Sequence, residues 1–429
     1  MKVLIATMGF TGHVNPMQPI ARELCKRGHQ VIWLTGKDFE SKVTITGAEF
    51  RLAVASSKQD AIPAALDPGT SGMSAIVSML RRLFLDRIPA QVQDYQSVLA
   101  DFAADILVVD LAAYGAHCLR DLTGLPYATL GINPLVTPDP EIPAWGTGKQ
   151  PPASWVGRLG NSLFHWVGSR ILYPKLTAAL NTEREKLGLQ ALPPGIGFYE
   201  TTRSDMLHIM PTTLAFEFPR KNLHPAVKFV GPLLPVLSDD PWTPPPWWDE
   251  LLGHPKNSVV HLTQGTHATN VASLIKPTIS ALSAVSELLV IVTSPDAETT
   301  LKNPPANVRA ATFIPHALLL PHVGVMVTNA GYGGVLAALS YGVPLVCAGR
   351  SEDKADVSSR VAWCGAGIDL GTDTPSKAAL LSAVLRVVRE GGYREAAGKV
   401  AADFASHDGP REAADELERV VRDHKASAS

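Results

Sequence analysis

The sequence predicts an α/β protein built from two doubly wound domains, and three observations support this. Short continuous apolar runs alternate with amphipathic helical patterns in both halves of the chain, as in parallel sheets that are covered by helices. A segment rich in proline and tryptophan over residues 217–256 interrupts the alternation. The 429 residues, 46% hydrophobic and 18% charged, suffice for two domains that each have a core.

The N-terminal half opens with a predicted strand, loop and helix. Val3–Met8 is a continuous apolar run, and the glycine-containing Gly9–His13 follows it as a loop. Asn15 is the expected cap of a helix with an apolar face, which Gly28 ends. The strands that we predict in this half are Val3–Met8, Gln30–Thr35, Glu49–Val54, Ile106–Asp110, Tyr127–Leu130 and Leu207–Met210.

Two irregular stretches of this half, about residues 56–87 and 134–197, are rich in large apolar side chains. One interpretation is that they form helices packed on the first sheet. The other is that part of them lines an apolar pocket. The side chains concerned are Met73, Met79, Phe84, Trp145, Trp155, Phe164 and Trp166.

The C-terminal half restarts the α/β alternation after the proline-rich segment. Its predicted strands are Val259–Thr263, Leu288–Thr293, Gly324–Thr328 and Pro344–Cys347. The last amphipathic stretch predicts a helix that packs as a closing element. The predicted division is an N-terminal domain over 1–216, a linker over 217–256, a C-terminal domain over 257–405 and a closing helix over 406–429.

The amino-acid composition argues against several classes of function. The 38 basic and 40 acidic residues give a net charge of −2, which provides no field for a polyanion, so nucleic acid is not the expected partner. The four cysteines have no metal-ligand spacing and are expected to be core residues. No leader peptide and no apolar run near the roughly 18 residues of a membrane span are recognisable. We expect a cytoplasmic protein without stable membrane insertion, a monomer or weak dimer.

Two residues in the N-terminal half form a candidate acid–base pair. His13 follows the first strand, and Asp110 ends the fourth. Ligands of open α/β sheets bind beyond the carboxyl ends of the strands, where a carboxylate can stabilise an imidazolium that takes a proton from a hydroxyl. Taken singly, the aspartate can equally be a structural cap and the histidine a solvated loop residue.

A glycine-rich turn in the C-terminal half is a candidate diphosphate site. Residues 328–334 lie between a strand and a helix, where backbone N–H groups can approach an anion. A tight strand–helix turn is the alternative. Thr266 could add a hydroxyl to the same site, and Phe313 could stack on a base.

These motifs, in their order and spacing, resemble the family 1 nucleotide-sugar-dependent glycosyltransferases, above all the bacterial enzymes that modify macrolides and other natural products. The resemblance covers nearly the whole chain, and its C-terminal part is the more specific. The residues that carry it are Gly12-His13-x-x-Pro16, Asp110, Gly265-Thr266, Phe313-Ile314-Pro315-His316, Thr328-Asn329-Ala330-Gly331-x-Gly333, Gly342-Val343-Pro344 and Asp353-Lys354.

The resemblance implies the GT-B fold, with two Rossmann-like domains facing a cleft, and inverting O-glycosyl transfer without a metal or other cofactor. The co-substrate would be a nucleotide sugar, with UDP-glucose favoured. His13 would deprotonate the acceptor and Asp110 would steady it. The implied donor-binding residues are Thr266, Phe313, His316, Asn329, Gly331, Gly333, Gly334, Asp353 and Lys354.

The acceptor is expected to be a hydrophobic alcohol or phenol, such as a flavonoid or macrolide. This follows from apolar side chains near His13 and in the irregular stretches; we select Met8, Phe10, Met79 and Phe84 as acceptor-binding candidates.

The chain also departs from the family pattern. Asn329 stands where a histidine normally contacts the phosphates, and Gly334 replaces a hydroxyl residue. Ala337 stands where many members have a ribose-binding glutamate, which bears on the choice between UDP and dTDP. Glutamine is replaced at two further positions, by His316 and by Lys354.

Three alternatives stay open at this point. A nucleotide-sugar-binding protein without transferase activity would fit the altered phosphate site. A GT-B relative acting on a lipid-linked acceptor would need a basic, apolar docking face. A nucleotide-sugar epimerase would need no acceptor pocket.

Overall fold

The computed structural model describes residues 1–56, 77–237, 242–265, 270–295, 297, 301 and 303–428. Two all-parallel sheets organise these residues. The N-terminal sheet has the strand order β3-β2-β1-β4-β5-β6-β7, and the C-terminal sheet has the order β10-β9-β8-β11-β12-β13. Each sheet is covered by apolar clusters on both faces, as doubly wound sheets require. The predicted fold class is confirmed.

The first strand of the chain lies inside the N-terminal sheet, and later strands lie on both sides of it. Its strands are β1 (Lys2–Ala6), β2 (Gln30–Thr35), β3 (Glu49–Leu52), β4 (Ile106–Asp110), β5 (Tyr127–Leu130), β6 (His208–Met210) and β7 (Val227–Phe229). The helices of this half are α1 (Thr11–Lys26), α2 (Glu40–Thr44), α3 (Ile88–Leu99), α4 (Gly115–Thr123), α5 (Trp155–Val167) and α6 (Tyr173–Lys186).

The C-terminal sheet repeats the pattern with six strands. These are β8 (Val259–Thr263), β9 (Leu289–Thr293), β10 (Val308–Ala311), β11 (Val325–Thr328), β12 (Leu345–Cys347) and β13 (Gly367–Asp369). The helices from the connecting segment onward are α7 (Trp248–Gly253), α8 (Ile275–Leu282), α9 (His316–Leu319), α10 (Tyr332–Ser340), α11 (Lys354–Trp363), α12 (Lys377–Arg389), α13 (Gly391–Phe404) and α14 (Gly409–Ala428).

The segment 217–256 is not linker throughout, contrary to the prediction. Its strand β7 pairs with β6 and forms the edge of the N-terminal sheet. Prolines on both sides hide this three-residue strand in the sequence. Further along, Trp242, Trp247 and Trp248 pack against the C-terminal core, and the Trp247 indole N–H donates to the carbonyl of Ala310.

Helix α1 begins earlier than predicted. Phe10 is extended, and its carbonyl accepts from the N–H groups of His13 and Val14, which starts the helix at Thr11. Asn15 is therefore not the cap; its side chain accepts from Lys42 instead. The consequence is that His13 lies in the first helical turn rather than in a loop.

The closing helix crosses back to the N-terminal domain. Leu417 of α14 is fully buried in the same apolar cluster as Ile5 and Met17. Polar contacts flank this cluster, with Arg27 donating to Asp415 at 2.6 Å. The last helix therefore joins the two halves of the chain.

The apolar residues of the irregular stretches behave in two ways. Leu176 and Leu180 of α6 pack into the N-terminal core. Helix α5 is attached by polar side chains instead: Asn161 and His165 both donate to the carbonyl of Ile142, in the loop that precedes this helix. The packed-helix interpretation is wrong for Trp155, Phe164 and Trp166 of α5, which are 71%, 58% and 58% exposed. Met73 lies outside the described residues.

The four cysteines are free thiols. Cys118 and Cys347 are buried, as expected of core residues, whereas Cys25 and Cys364 are half-buried.

Candidate active site

His13 and Asp110 meet at the carboxyl edge of the N-terminal sheet. Strands β1 and β4 are neighbours, so the helix that follows β1 lies beside the end of β4. Nδ1 of His13 lies 3.1 Å from Oδ1 of Asp110, which is within ion-pair distance. Such contacts commonly tighten when substrate binds. The aspartate is fully buried, and the His13 side chain is 17% exposed.

The Asp110 carboxylate is held as an acceptor. The N–H of Met8 donates to Oδ2 and the N–H of Ala112 donates to Oδ1, both at 2.9 Å. Burial by itself would raise the pKa of Asp110, but the attraction of His13 and these backbone hydrogen bonds outweigh burial and lower it. Asp110 is therefore ionised at neutral pH and able to stabilise a positive charge on His13.

Polar residues that the sequence analysis missed lie next to this pair. A pocket at the same edge of the sheet is lined by Met8 and also by Arg87, Gln91 and Tyr95. These three belong to the turn before α3 and to α3 itself, and their i, i+4, i+8 spacing was the available signal. Gln91 is committed to the backbone, since its Oε1 accepts from the N–H of Gly115.

The acceptor-side candidates fall into two groups. Phe10 and Met8 lie near the pair: the rings of Phe10 and His13 are 5.5 Å apart, and the N–H of Met8 donates to Asp110. Met79 is 41% exposed. Phe84 packs partly into the core, where its ring lies 5.9 Å from that of Tyr114.

The glycine-rich turn meets the end of a neighbouring strand in the C-terminal sheet. Strands β8 and β11 pair, so Gln264 and Asn329 lie side by side, and Nδ2 of Asn329 donates to the carbonyl of Gln264. Its Oδ1 is buried and has no hydrogen-bond partner among the described residues. One amide hydrogen is thus used within the protein, which leaves one for a ligand.

The backbone of this turn has an unusual conformation and is closely packed. Ala330 has a left-handed φ of 64°, an unusual conformation for alanine that clusters at functional sites. A Cβ at Gly349 would lie 2.0 Å from the Asn329 carbonyl oxygen. Gly331 caps helix α10, and Gly333 and Gly334 lie in its first turn. A ligand can therefore approach the N–H groups of this turn closely.

Phe313 follows β10 and His316 begins α9, and the two differ in exposure. Phe313 is 69% exposed, so its ring is free to stack on a flat ligand. His316 packs edge-on against buried His261, with ring centroids 5.7 Å apart. Burial lowers the pKa of His316, which favours the neutral ring.

Asp353 and Lys354 begin helix α11. Burial raises the pKa of Asp353 to about 6. The Lys354 ammonium forms a close ion pair with Glu352 and also contacts Ser351, so its charge is partly neutralised. Glu352 has a left-handed φ of 56°, the second strained non-glycine residue among those described.

Thr266 lies outside the described residues. In the described part of the chain, no group of three or more His, Cys, Asp or Glu side chains could hold a metal ion. The described helices likewise include none with the length and apolarity to cross a membrane.

Comparison with known proteins identifies the family. Residues 276–420 match the model of the erythromycin biosynthesis protein CIII-like C-terminal domain. 4'-Demethylrebeccamycin synthase of Lentzea aerocolonigenes is 38% identical over 98% of this chain and 99% of its own. UDP-glycosyltransferase 2 of Phaeomoniella chlamydospora is 30% identical over 98% and 95%.

Solved structures agree on the fold. The calicheamicin glycosyltransferase CalG4 superposes with a TM-score of 0.74 at 22% identity, over 98% of each chain. The spinosyn rhamnosyltransferase SpnG superposes with a TM-score of 0.70 at 17% identity, over 97% of this chain and 100% of its own. The protein therefore belongs to the GT-B glycosyltransferases of the natural-product and UDP-glucosyltransferase type.

Proposed function

We propose that this glycosyltransferase moves a hexose from a nucleotide sugar to a hydroxyl of a hydrophobic small molecule, with inversion and without a metal. The observation that carries this proposal is the pair of His13 and buried Asp110. A binding protein would have no need of an imidazole held against a buried, ionised carboxylate.

The reaction follows from the orientation of His13. Nδ1 faces Asp110, which leaves Nε2 as the nitrogen that accepts the acceptor's proton. As that proton leaves, the acceptor oxygen forms a bond to the anomeric carbon, and the bond from that carbon to the diphosphate oxygen breaks. The nucleoside diphosphate departs with the bonding electrons. Attack opposite the leaving group inverts the anomeric centre.

The C-terminal domain provides the groups for the donor in this proposal. The exposed ring of Phe313 stacks on the base, and the N–H groups of residues 329–334 bind the diphosphate. Asp353 accepts from sugar hydroxyls, with Lys354 beside it. Such a site needs no net positive charge, because backbone amides and the helix end provide the attraction.

UDP-glucose is the favoured donor. Several relatives are named UDP-glucosyltransferases, among them UDP-glucosyltransferase A1 of Starmerella bombicola at 27% identity. The competing donor is a dTDP sugar, since SpnG was solved with thymidine diphosphate.

The acceptor class rests on the apolar surroundings of His13. The Phe10 ring lies 5.5 Å from the imidazole, and the N-terminal domain leaves further large apolar side chains exposed on α5. A phenol, flavonoid, macrolide or similar polycyclic alcohol matches such surfaces.

A donor-by-acceptor screen read by mass tests this function. UDP- and dTDP-glucose and related sugars are offered with phenols, flavonoids and macrolides, and a product with one added hexose is expected. His13→Ala should lower transfer by about 10²- to 10⁴-fold. Its affinity for the nucleotide should stay unchanged in calorimetry. Tight nucleotide binding without product from any acceptor would instead support a binding protein.

A further inference from the structure

An aspartate of the C-terminal domain is bound by a turn of the N-terminal domain. The N–H groups of Gly146 and Gly148 donate to the two oxygens of Asp356, at 2.5 and 3.0 Å. The carboxylate is 5% exposed and lies one helical turn beyond Asp353 in α11. Burying an ionised carboxylate is costly unless it is hydrogen-bonded, so this contact is specific.

The turn can bind the carboxylate only with glycine at both positions. Gly146 has a φ of 83° and Gly148 a φ of 60°, both left-handed. Alternate N–H groups presented in this way form a concave anion site. A Cβ at Gly148 would lie 2.5 Å from Nη1 of Arg350 and 2.8 Å from Cβ of Ala355. The turn is therefore fitted closely to the start of α11.

A second contact holds the beginning of the loop over residues 131–154, which contains Gly146 and Gly148. Arg360, also on α11, donates to Glu217 at 2.7 Å, and the other oxygen of Glu217 accepts from the N–H of Leu135. The Arg360 guanidinium stacks on Phe218, 4.1 Å from the ring centroid. Arg360 and Glu217 are both nearly fully buried. Asp353, Asp356 and Arg360 share one face of α11 by their spacing.

The loop over residues 131–154 thus extends from the acceptor side of the proposed site to its donor side. It leaves β5, whose last residue Leu130 pairs with Asp110, and it ends on the helix that begins with Asp353. We propose that Asp356, held by Gly146 and Gly148, is a positioning residue for glycosyl transfer. This clasp, formed by Gly146, Gly148 and Asp356, aligns the acceptor side of the cleft with the donor sugar. The inference rests on the proposed function.

Loss of the clasp should separate transfer from donor binding. In Asp356→Asn the amide keeps the volume but presents a donor to one of the two N–H groups. A misplacement of about 1 Å can lower a rate about 100-fold, so the kcat of transfer should fall by about 10- to 100-fold. The nucleotide Kd should stay within about twofold. Water should replace the acceptor more often, so that free hexose rises relative to glycosylated product.

Two further variants distinguish loss of the clasp from a general loss of folding. Gly148→Ala disrupts the clasp from the N-terminal domain and should likewise lower kcat with little change in the nucleotide Kd. The double variant of Gly148→Ala and Asp356→Asn should have a kcat little lower than that of either single variant. Asp249→Asn, an exposed carboxylate on α7, is the matched control and should resemble the wild type.

Hydrogen exchange provides a readout that needs no activity. Peptides covering residues 140–150 should exchange faster in Asp356→Asn than in the wild type. Equal exchange, an unchanged kcat, or a parallel fall in kcat, nucleotide affinity and Tm would each overturn the proposal. A wild type that transfers to no acceptor would refute the proposed function instead, and the exchange comparison would still decide on the clasp.

Discussion

The carboxylate of Asp110 lies 3.1 Å from Nδ1 of His13, and both of its oxygens accept backbone N–H groups as well. Each oxygen of the carboxylate thus accepts from at least one N–H donor. An amide at this position would place its own N–H against one of them, whichever way it is turned. The ionised oxygen pair is therefore required for the orientation of His13.

Replacement of Asp110 by Asn should consequently lower the kcat of transfer by about 10²- to 10⁴-fold. The nucleotide Kd should not change, because the residue lies in the other domain. Steady-state kinetics and calorimetry measure the two quantities, with Asp38→Asn as the exposed control. Retention of more than about half the activity would contradict the assigned role.

Donor affinity should depend on pH through Asp353. Its pKa is raised to about 6, so the carboxylate is charged above pH 6 and takes a proton as the pH falls through that value. A nucleotide sugar should bind about tenfold more weakly at pH 5 than at pH 7, since one pKa unit corresponds to about 1.4 kcal/mol. Calorimetry without acceptor measures this.

The variant Asp353→Asn separates this titration from others. Its donor affinity should be flat between pH 5 and pH 7. It should also be more stable than the wild type at pH 7. A carboxyl whose folded pKa is raised opposes folding fully above that pKa, and this cost declines as the pH falls until it vanishes below the ordinary carboxyl pKa of 3.8. An identical pH slope in both proteins would exclude Asp353 as its source.

Phe313 should contribute to nucleotide affinity and not to stability. Its ring is 69% exposed, so Phe313→Ala should leave Tm unchanged. Loss of a base-stacking ring costs about 1–3 kcal/mol of binding. Phe313→Tyr should restore affinity, and Leu252→Ala, another exposed apolar residue of this domain, should have no effect. Undiminished UDP binding by Phe313→Ala would remove the ring from the site.

The closing helix should stabilise the domain that it packs on. Leu417 is fully buried against the N-terminal core, so Leu417→Ala should lower the free energy of unfolding by about 2–5 kcal/mol. Denaturant titration checks this, with exposed Arg422→Ala as the control. A loss below about 1 kcal/mol would mean that the helix is not needed for that core.

Local patterns were enough to predict most of the fold. Buried central strands such as Ile106–Asp110 are long apolar runs, and their bounds were correct to the residue. The edge strands β7, β10 and β13 escaped notice because they are short and partly exposed, so their sequences VKF, VRAA and GID lack such a run. The start of α1 was misplaced because Phe10, a poor cap by residue type, begins it through its backbone.

The order of residues was enough to predict the fold class, the family resemblance and the two candidate residues His13 and Asp110. It did so because strand periodicity and motif spacing are local properties of a chain. Tertiary structure decided that those two residues meet, that α14 returns to the first domain, and that Asp356 is bound by Gly146 and Gly148. These contacts join distant parts of the chain through backbone groups and left-handed turns, which no local pattern of residue types encodes.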